Sequence, residues 1–200
     1  GPHPVHSGEA ERGPLGEVVN ESTATILREV TSLKMMVDEF SRFARLPETE
    51  LVPGDLCEVI AQSVASFEGR FPNVSIEFER NGDLPEIMQD AEQLKRVFVN
   101  LIDNAVEAFG EEQSGKSVTL TARHDAARDI VVAEVSDNGK GIAPSDLQKL
   151  FQPYFSTKGR GTGLGLAIVK RIITEHHGRI NVVGNQPNGA KFIIELPVNS

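Results

Sequence analysis

Asp137-Asn138-Gly139-Lys140-Gly141 and Gly161-Thr162-Gly163-Leu164-Gly165-Leu166-Ala167-Ile168-Val169 decide how this chain is read. The second stretch runs from glycines straight into a helical pattern, and a glycine-rich entry to a helix N-terminus presents backbone N–H groups to an anion. In the first, Asp137 ends a strand pattern immediately before Asn138-Gly139. A carboxylate there can accept a hydrogen bond from an exocyclic amine such as that of adenine, and the glycines permit close approach. An ordinary Asp-Asn-Gly turn satisfies the same residues without a ligand, so either cluster alone is weak and the pair is informative.

Outward from these clusters, the stretch from Lys140 to Thr162 shows no sustained period and reads as a long functional loop. A helix is predicted from about Gly163 to His177, stopped by Gly178. Strands follow at Arg179 to Val183 and Lys191 to Leu196, around a Pro187-Asn188-Gly189 turn. Upstream, strands Ser117 to His124 and Ile130 to Ser136 flank a short turn and predict an antiparallel hairpin. Asp90 with Gln93 makes a capping-box start for a helix to Phe109, closed by Gly110. Its apolar stripe is Leu94, Val97, Phe98, Leu101, Ile102 and Ala105, while Asn100 and Asn104 lie one turn apart on another face. Asparagine is a poor interior helix residue, and its carboxamide oxygen suits Mg²⁺; the plain alternative is two solvated polar positions. A helix over 55–68 and a strand at Val74 to Glu79 complete a compact α/β unit beginning after Pro53.

Before that unit, Ile26, Val30, Leu33, Val37, Phe40 and Ala44 alternate four and three apart between Glu17 and Leu46. This is the heptad spacing of a helix that packs lengthwise on others, and Leu46-Pro47 ends it. A helix of that length spans about 45 Å, longer than a small domain is wide, which favours half of a dimerising helical hairpin over a helix lying on its own domain. Residues 1–15 are rich in Gly, Pro and charge and are read as a flexible head, with Gly1-Pro2 matching a cloning scar. The single Cys57 excludes an internal disulfide framework and a cysteine-based zinc site. No apolar run approaches the roughly 18 residues of a membrane span. The net charge of −9 argues against a nucleic-acid partner and requires local groups, helped by a divalent cation, to hold any phosphate.

Four motifs in order, Asn100-Leu-Ile-Asp-Asn104-Ala, Asp137-Asn-Gly-Lys-Gly141-Ile, Leu150-Phe151-Gln-Pro153-Tyr-Phe155-Ser-Thr157-Lys158 and Gly161-Thr-Gly-Leu-Gly165-Leu-Ala-Ile-Val, resemble the ATP-binding domain of sensor histidine kinases. The helix ending Met36-Val-Asp-Glu-Phe40-Ser-Arg-Phe-Ala44-Arg is most similar to the second helix of the dimerisation hairpin in nitrogen-regulation-type sensor kinases. The resemblance implies an α/β two-layer sandwich, a mixed and largely antiparallel sheet covered on one face by helices. One long N-terminal helix over 16–47 precedes an ATP-binding domain over 50–200, with a lid at about 140–162. It implies that Asn104 coordinates Mg²⁺ and that Asn100 sits beside the triphosphate of ATP. Asp137 would bind the adenine amino group, with Gly139, Gly141 and Ile142 shaping the base pocket. Lys158 would meet the terminal phosphate; Phe151 and Phe155 would pin the lid. Gly161, Gly163 and Gly165, each followed by Thr162, Leu164 and Leu166 in turn, would hold the phosphates.

The same resemblance implies a phosphoacceptor helix of the same or a partner protomer, a response regulator, a homodimer in the intact protein, and a cytoplasmic location with any membrane anchor outside this stretch. Glu107-Ala108 stand where many relatives carry a lysine and a tyrosine, and Ala190 where a hydroxyl is common, so modest nucleotide affinity is expected. No histidine matches the acceptor motif, so the chain alone is expected not to phosphorylate itself. His176-His177 occupy a helix C-terminus, where a cation would favour the dipole. Two alternatives differ in class. A clamp-type ATPase would use a glutamate base where Asn100 stands, and Asn100 cannot take a proton at neutral pH. A degenerate nucleotide-binding interaction module would be consistent with Glu107, Ala108 and Ala190.

Overall fold

The structure, a computed structural model, describes residues 14–156 and 163–199. The chain divides after Ala44 into two compact units. The first contains α1 (Pro14–Ala44), which ends just short of the predicted Leu46. Along it Ile26, Val30, Leu33, Val37 and Phe40 are all exposed, so the heptad stripe buries little of its apolar surface. Of the flexible head read over residues 1–15, residues 1–13 lie outside the described residues, while Pro14 and Leu15 belong to the first turn of α1. Among those described, no helix is long and apolar enough to cross a membrane.

The second unit follows in the order β1 (Val52–Gly54), α2 (Leu56–Ala65), β2 (Val74–Asn81), β3 (Ile87–Gln89), α3 (Ala91–Glu107), β4 (Lys116–Asp125), β5 (Ile130–Asp137), α4 (Gly165–Glu175), β6 (Arg179–Gly184) and β7 (Ala190–Pro197). Five strands form a mixed sheet in the order β2-β4-β5-β7-β6. Only β2 and β4 pair in parallel, Val74 opposite Lys116, as expected where a helix intervenes between them. The predicted hairpin is β4–β5, with Val118 opposite Asp137 and Asp125 opposite Ile130. β7 enters next to β5, with Ser136 opposite Lys191. That places the end of β5, where Asp137 sits, beside the start of β7.

The stripe predicted on α3 is the buried one: Leu94, Val97, Phe98, Leu101 and Ile102 have no exposed surface. They meet Val118, Leu120 and Ala122 of β4, Val131, Ala133 and Val135 of β5, and Ile168 and Ile172 of α4 in one core. Each fully buried side chain of this size contributes about 1.5–3 kcal/mol over its exposed state. Cys57 is buried among them as a filler, and burial pushes its thiol pKa up. Unforeseen was the small antiparallel pair β1–β3, Val52 opposite Gln89. Pro53 and Gly54 disguise β1, and Gly54 is there because a Cβ would strike the Gln89 side chain.

Two further differences concern ends and loops. α4 starts at Gly165 and α3 stops at Glu107, each inside its predicted span. The first part of the 140–162 loop is a succession of tight turns, Asp146 to Ala143, Lys149 to Asp146, Gln152 to Lys149 and Phe155 to Gln152. Such turns repeat too briefly to leave a helical period in the sequence.

Candidate functional site

The site is built where three elements end. α2 and α3 are each opened by an aspartate: Asp55 Oδ1 accepts from Cys57 N–H at 2.7 Å, and Asp90 Oδ1 from Gln93 N–H at 3.1 Å. α4 is opened by Leu164, fully buried, with no capping side chain. An acid at that point would repel a phosphate, whereas an apolar residue adds no negative charge at the positive end of the helix dipole.

Opposite this opening lies Asn100. Its Nδ2 donates back to Arg96 C=O at 2.8 Å, which fixes the amide and turns Oδ1 toward α4. A Cβ on Gly165 would come within 3.2 Å of that oxygen. Asn104, one turn on, is half-buried. Glu107, another turn along, brings a carboxylate to the exposed end of the same helix. Next to Asn104, burial pushes the Asp103 carboxyl upward, Arg70 partly offsets this, and Glu107 adds to it. Arg96 lies one turn before Asn100 on this face, and carboxamides and acids follow it, so a bound cation would offset the acids toward a phosphate.

At the end of β5 the Asp137 carboxylate is buried. Its Oδ1 accepts from Gly139 N–H at 2.8 Å and from Ala190 N–H at 3.3 Å. Gly139 packs on the end of α3, since a Cβ there would lie 2.8 Å from Ala108 C=O, and Lys140 N–H donates to that same carbonyl at 3.1 Å. Gly141, at φ +74°, faces Gly189 C=O, which a Cβ would approach to 3.1 Å. Ile142 follows, half-buried. The turn is thus pinned to α3 on one side and to the β6–β7 hairpin on the other.

The root of the long loop is pinned as well. Phe151 meets Phe192 of β7 edge to face, centroids 6.3 Å apart at 84°, and Lys170 Nζ lies 5.8 Å from its centroid. Phe155 is half-buried. Tyr154 N–H donates to Gly163 C=O at 3.0 Å, and Gly163 sits at φ +68° with its α-carbon against the Tyr154 backbone. Tyr154, late in the loop, therefore meets Gly163 just before Leu164, Gly165 and Leu166. Of the residues singled out from sequence, Asn100, Asn104, Asp137, Gly139, Gly141, Ile142, Phe151, Gly163, Leu164, Gly165 and Leu166 are described. Lys158, Gly161 and Thr162 lie outside the described residues.

Several contacts that shape the site join residues far apart in the chain and were not legible in the motifs themselves. Asn138 accepts Ser117 N–H on Oδ1 at 2.9 Å and donates from Nδ2 to Gly115 C=O at 2.8 Å, while its carbonyl takes Gln113 Nε2 at 2.8 Å. Asn185 Nδ2 donates to Asp137 C=O at 2.9 Å. His176 corrects the dipole reading. It is buried, its Nε2 accepts Asp90 N–H at 2.9 Å, and its Nδ1 must therefore carry the proton given to Ile172 C=O at 2.8 Å. Burial pushes its pKa down against those hydrogen bonds, so it is a neutral strut between α4 and α3. Elsewhere, a hollow of about 570 Å³ lined by Pro53, Glu86, Ile87, Met88, Val198 and Asn199 contains none of the site residues.

Comparison with known proteins agrees with this geometry. The family model described as histidine kinase-, DNA gyrase B-, and HSP90-like ATPase matches residues 89–200. The sensor histidine kinase ZraS of Escherichia coli O157:H7 is 35% identical over 192 residues, which is 95% of this chain and 41% of that protein. A putative NtrY-like sensor histidine kinase of Rickettsia felis is 36% identical over 172 residues, 86% of this chain and 28% of its own length. The chain thus spans well under half of these relatives. Among solved structures, full-length ShkA in complex with AMPPNP superposes with a TM-score of 0.72 at 32% identity, covering 88% of this chain and 38% of that one. The chain belongs to the histidine kinase-, DNA gyrase B- and HSP90-like ATPases, and within them it matches the ATP-binding domain of sensor histidine kinases.

Proposed function

We propose that this chain is the ATP-binding catalytic part of a two-component sensor histidine kinase, binding Mg-ATP and passing the terminal phosphoryl group to a histidine outside this chain, for relay to a response regulator. The observation that carries the reading is the close approach of Gly165, in the first turn of α4, to Asn100 Oδ1 on α3. Asp137 accepts the base amine, Gly139, Gly141 and Ile142 wall the base, and backbone N–H groups from Gly163 to Leu166 hold the phosphates. Asn104 holds magnesium, with Asn100 beside it: hard carboxamide oxygens next to a phosphate-binding helix end suit an ion that prefers one or two protein ligands plus phosphate oxygens. Bound there, the ion neutralises phosphate charge, the main demand of phosphoryl transfer. By the same resemblance Lys158 would meet the terminal phosphate, and Gly161 and Thr162 would help hold the phosphates.

The histidines support an acceptor supplied elsewhere. Both ring nitrogens of His176 are engaged, and it lies at the far end of α4, roughly 16 Å along the axis from Gly165. His124 sits at the β4 end of the β4–β5 hairpin, 3.9 Å from Asp129. Titration calorimetry with ATP tests the binding half: affinity in millimolar range or better, strengthened by Mg²⁺, is expected, and no heat at millimolar ATP would favour a degenerate module. Incubation with labelled ATP tests the other half. No acid-labile label should appear on this chain, and its appearance would overturn the external acceptor.

A further inference from the structure

We infer that Asn185, on the β6–β7 turn, is a positioning residue for base recognition: it sets the direction of the Asp137 carboxylate by holding the Asp137 peptide. The inference rests on the reading of Asp137 as the acceptor of the base amine. The ladder between β5 and β7 stops at Ser136 opposite Lys191. One residue further, side chains replace the backbone pairing. Ala190 N–H goes to the Asp137 carboxylate at 3.3 Å instead of to a main-chain carbonyl, and the Asp137 carbonyl is taken by Asn185 Nδ2 at 2.9 Å.

The turn that carries Asn185 is closed on itself, Asn185 N–H to Gly189 C=O at 3.0 Å. Gly189, at φ +107°, lays its α-carbon directly on the Asp137 carbonyl, where no Cβ could fit. The Asp137–Asn138 peptide is therefore gripped from the hairpin side by one directional bond and one steric stop. On the other side Asn138 ties the same peptide to Gly115 and Ser117. A buried carboxylate reads an amine only if its oxygens are aimed, and a single peptide rotation would re-aim them. Asn185 acts through Asp137, whose carbonyl its amide holds.

The test compares ATP with ITP, which carries a carbonyl in place of the exocyclic amine, on the full chain with Mg²⁺. Asn185→Asp keeps the shape and removes the donor; repulsion of the shared triphosphate by its added charge is common to both nucleotides, so the ratio of the two affinities is read rather than either affinity alone. Wild type is expected to prefer ATP, and Asn185→Asp to lose about tenfold of that preference, the scale of one directed hydrogen bond, with some lowering of the melting temperature because a carboxylate oxygen then faces the Asp137 carbonyl. Asn185→Ser, a shorter donor, should recover part of it. A wild type that prefers ATP together with an Asn185→Asp variant whose ratio is intact overturns the inference alone. A wild type indifferent to the base overturns the reading of Asp137, and the inference with it. Should Asn185→Asp fold poorly, Asn185→Ser decides: a full wild-type ratio with a shortened donor contradicts the positioning role, and a reduced one supports it.

Discussion

At the scale of single residues, the site depends on side chains that are held before any ligand arrives. Asp137 gives one oxygen to two backbone N–H groups, and Asn100 spends its amide on Arg96 so that its oxygen faces α4. Asp137→Asn separates holding from reading. The amide oxygen can still accept from Gly139 and Ala190, while an NH₂ replaces the second carboxylate oxygen and opposes an incoming amine. ATP affinity is expected to fall about 10- to 100-fold, near 1.5–3 kcal/mol, with little change in melting temperature. Calorimetry beside a thermal melt checks both halves, and an unchanged Kd contradicts the assignment. The cluster Asp137-Asn138-Gly139 was legible because glycine and carboxylate chemistry is local. Asn185 was not, since its bond spans from residue 185 to residue 137 and nothing in its own neighbourhood announces it.

At the scale of elements, α3 and α4 are braced at the ends remote from the glycines. His176 joins α4 to the N-cap of α3, and Thr49 Oγ1 donates to Glu175 Oε2 at 2.6 Å while Arg171 Nε holds Oε1 at 2.9 Å. Burial pushes the Glu175 carboxyl up, but the hydrogen bonds from Thr49 and Arg171 and nearby positive charge outweigh it and leave its pKa lowered. His176 sets the pH dependence. Its folded pKa is depressed, so above the unfolded value of about 6.5 both states are neutral and its contribution is complete. As pH falls through that value the unfolded chain protonates first and stability is lost; the lowered Glu175 acts only further down, in the carboxylate range. Urea unfolding from about pH 7.5 to about pH 5.5 should show wild type losing more stability than His176→Gln, whose amide oxygen accepts from Asp90 without titrating. Parallel slopes would contradict the neutral strut. Helix α3 was legible to its buried stripe because period and caps are encoded within it. The β1–β3 pair was not, because three-residue strands containing proline and glycine are specified by what they pack on.

At the scale of the whole molecule, two units of different character share one chain. The sheet and its helices close their own core, whereas α1 exposes Ile26, Val30, Leu33 and Val37 along its length. Apolar surface in that pattern drives association of helices, so sedimentation is expected to show self-association that rises with concentration and is weakened by Leu33→Glu. A monomer at every concentration would contradict it. The heptads read from sequence identify that stripe, and the four motifs identify the order of the site. The meeting of α3, the β5 turn and the α4 opening is a property of the sheet order, which brings β5 beside β7 and is visible only in three dimensions. The central claim is that a magnesium-bound triphosphate nests at this meeting point. Backbone amide NMR during titration with Mg²⁺ and a non-hydrolysable ATP analogue tests it most directly. The account predicts shifts that saturate together at Asn100, Asn104, Gly139, Gly141, Gly163 and Gly165; shifts confined to the hollow at Ile87, Met88 and Val198, or none at millimolar ligand, would contradict it.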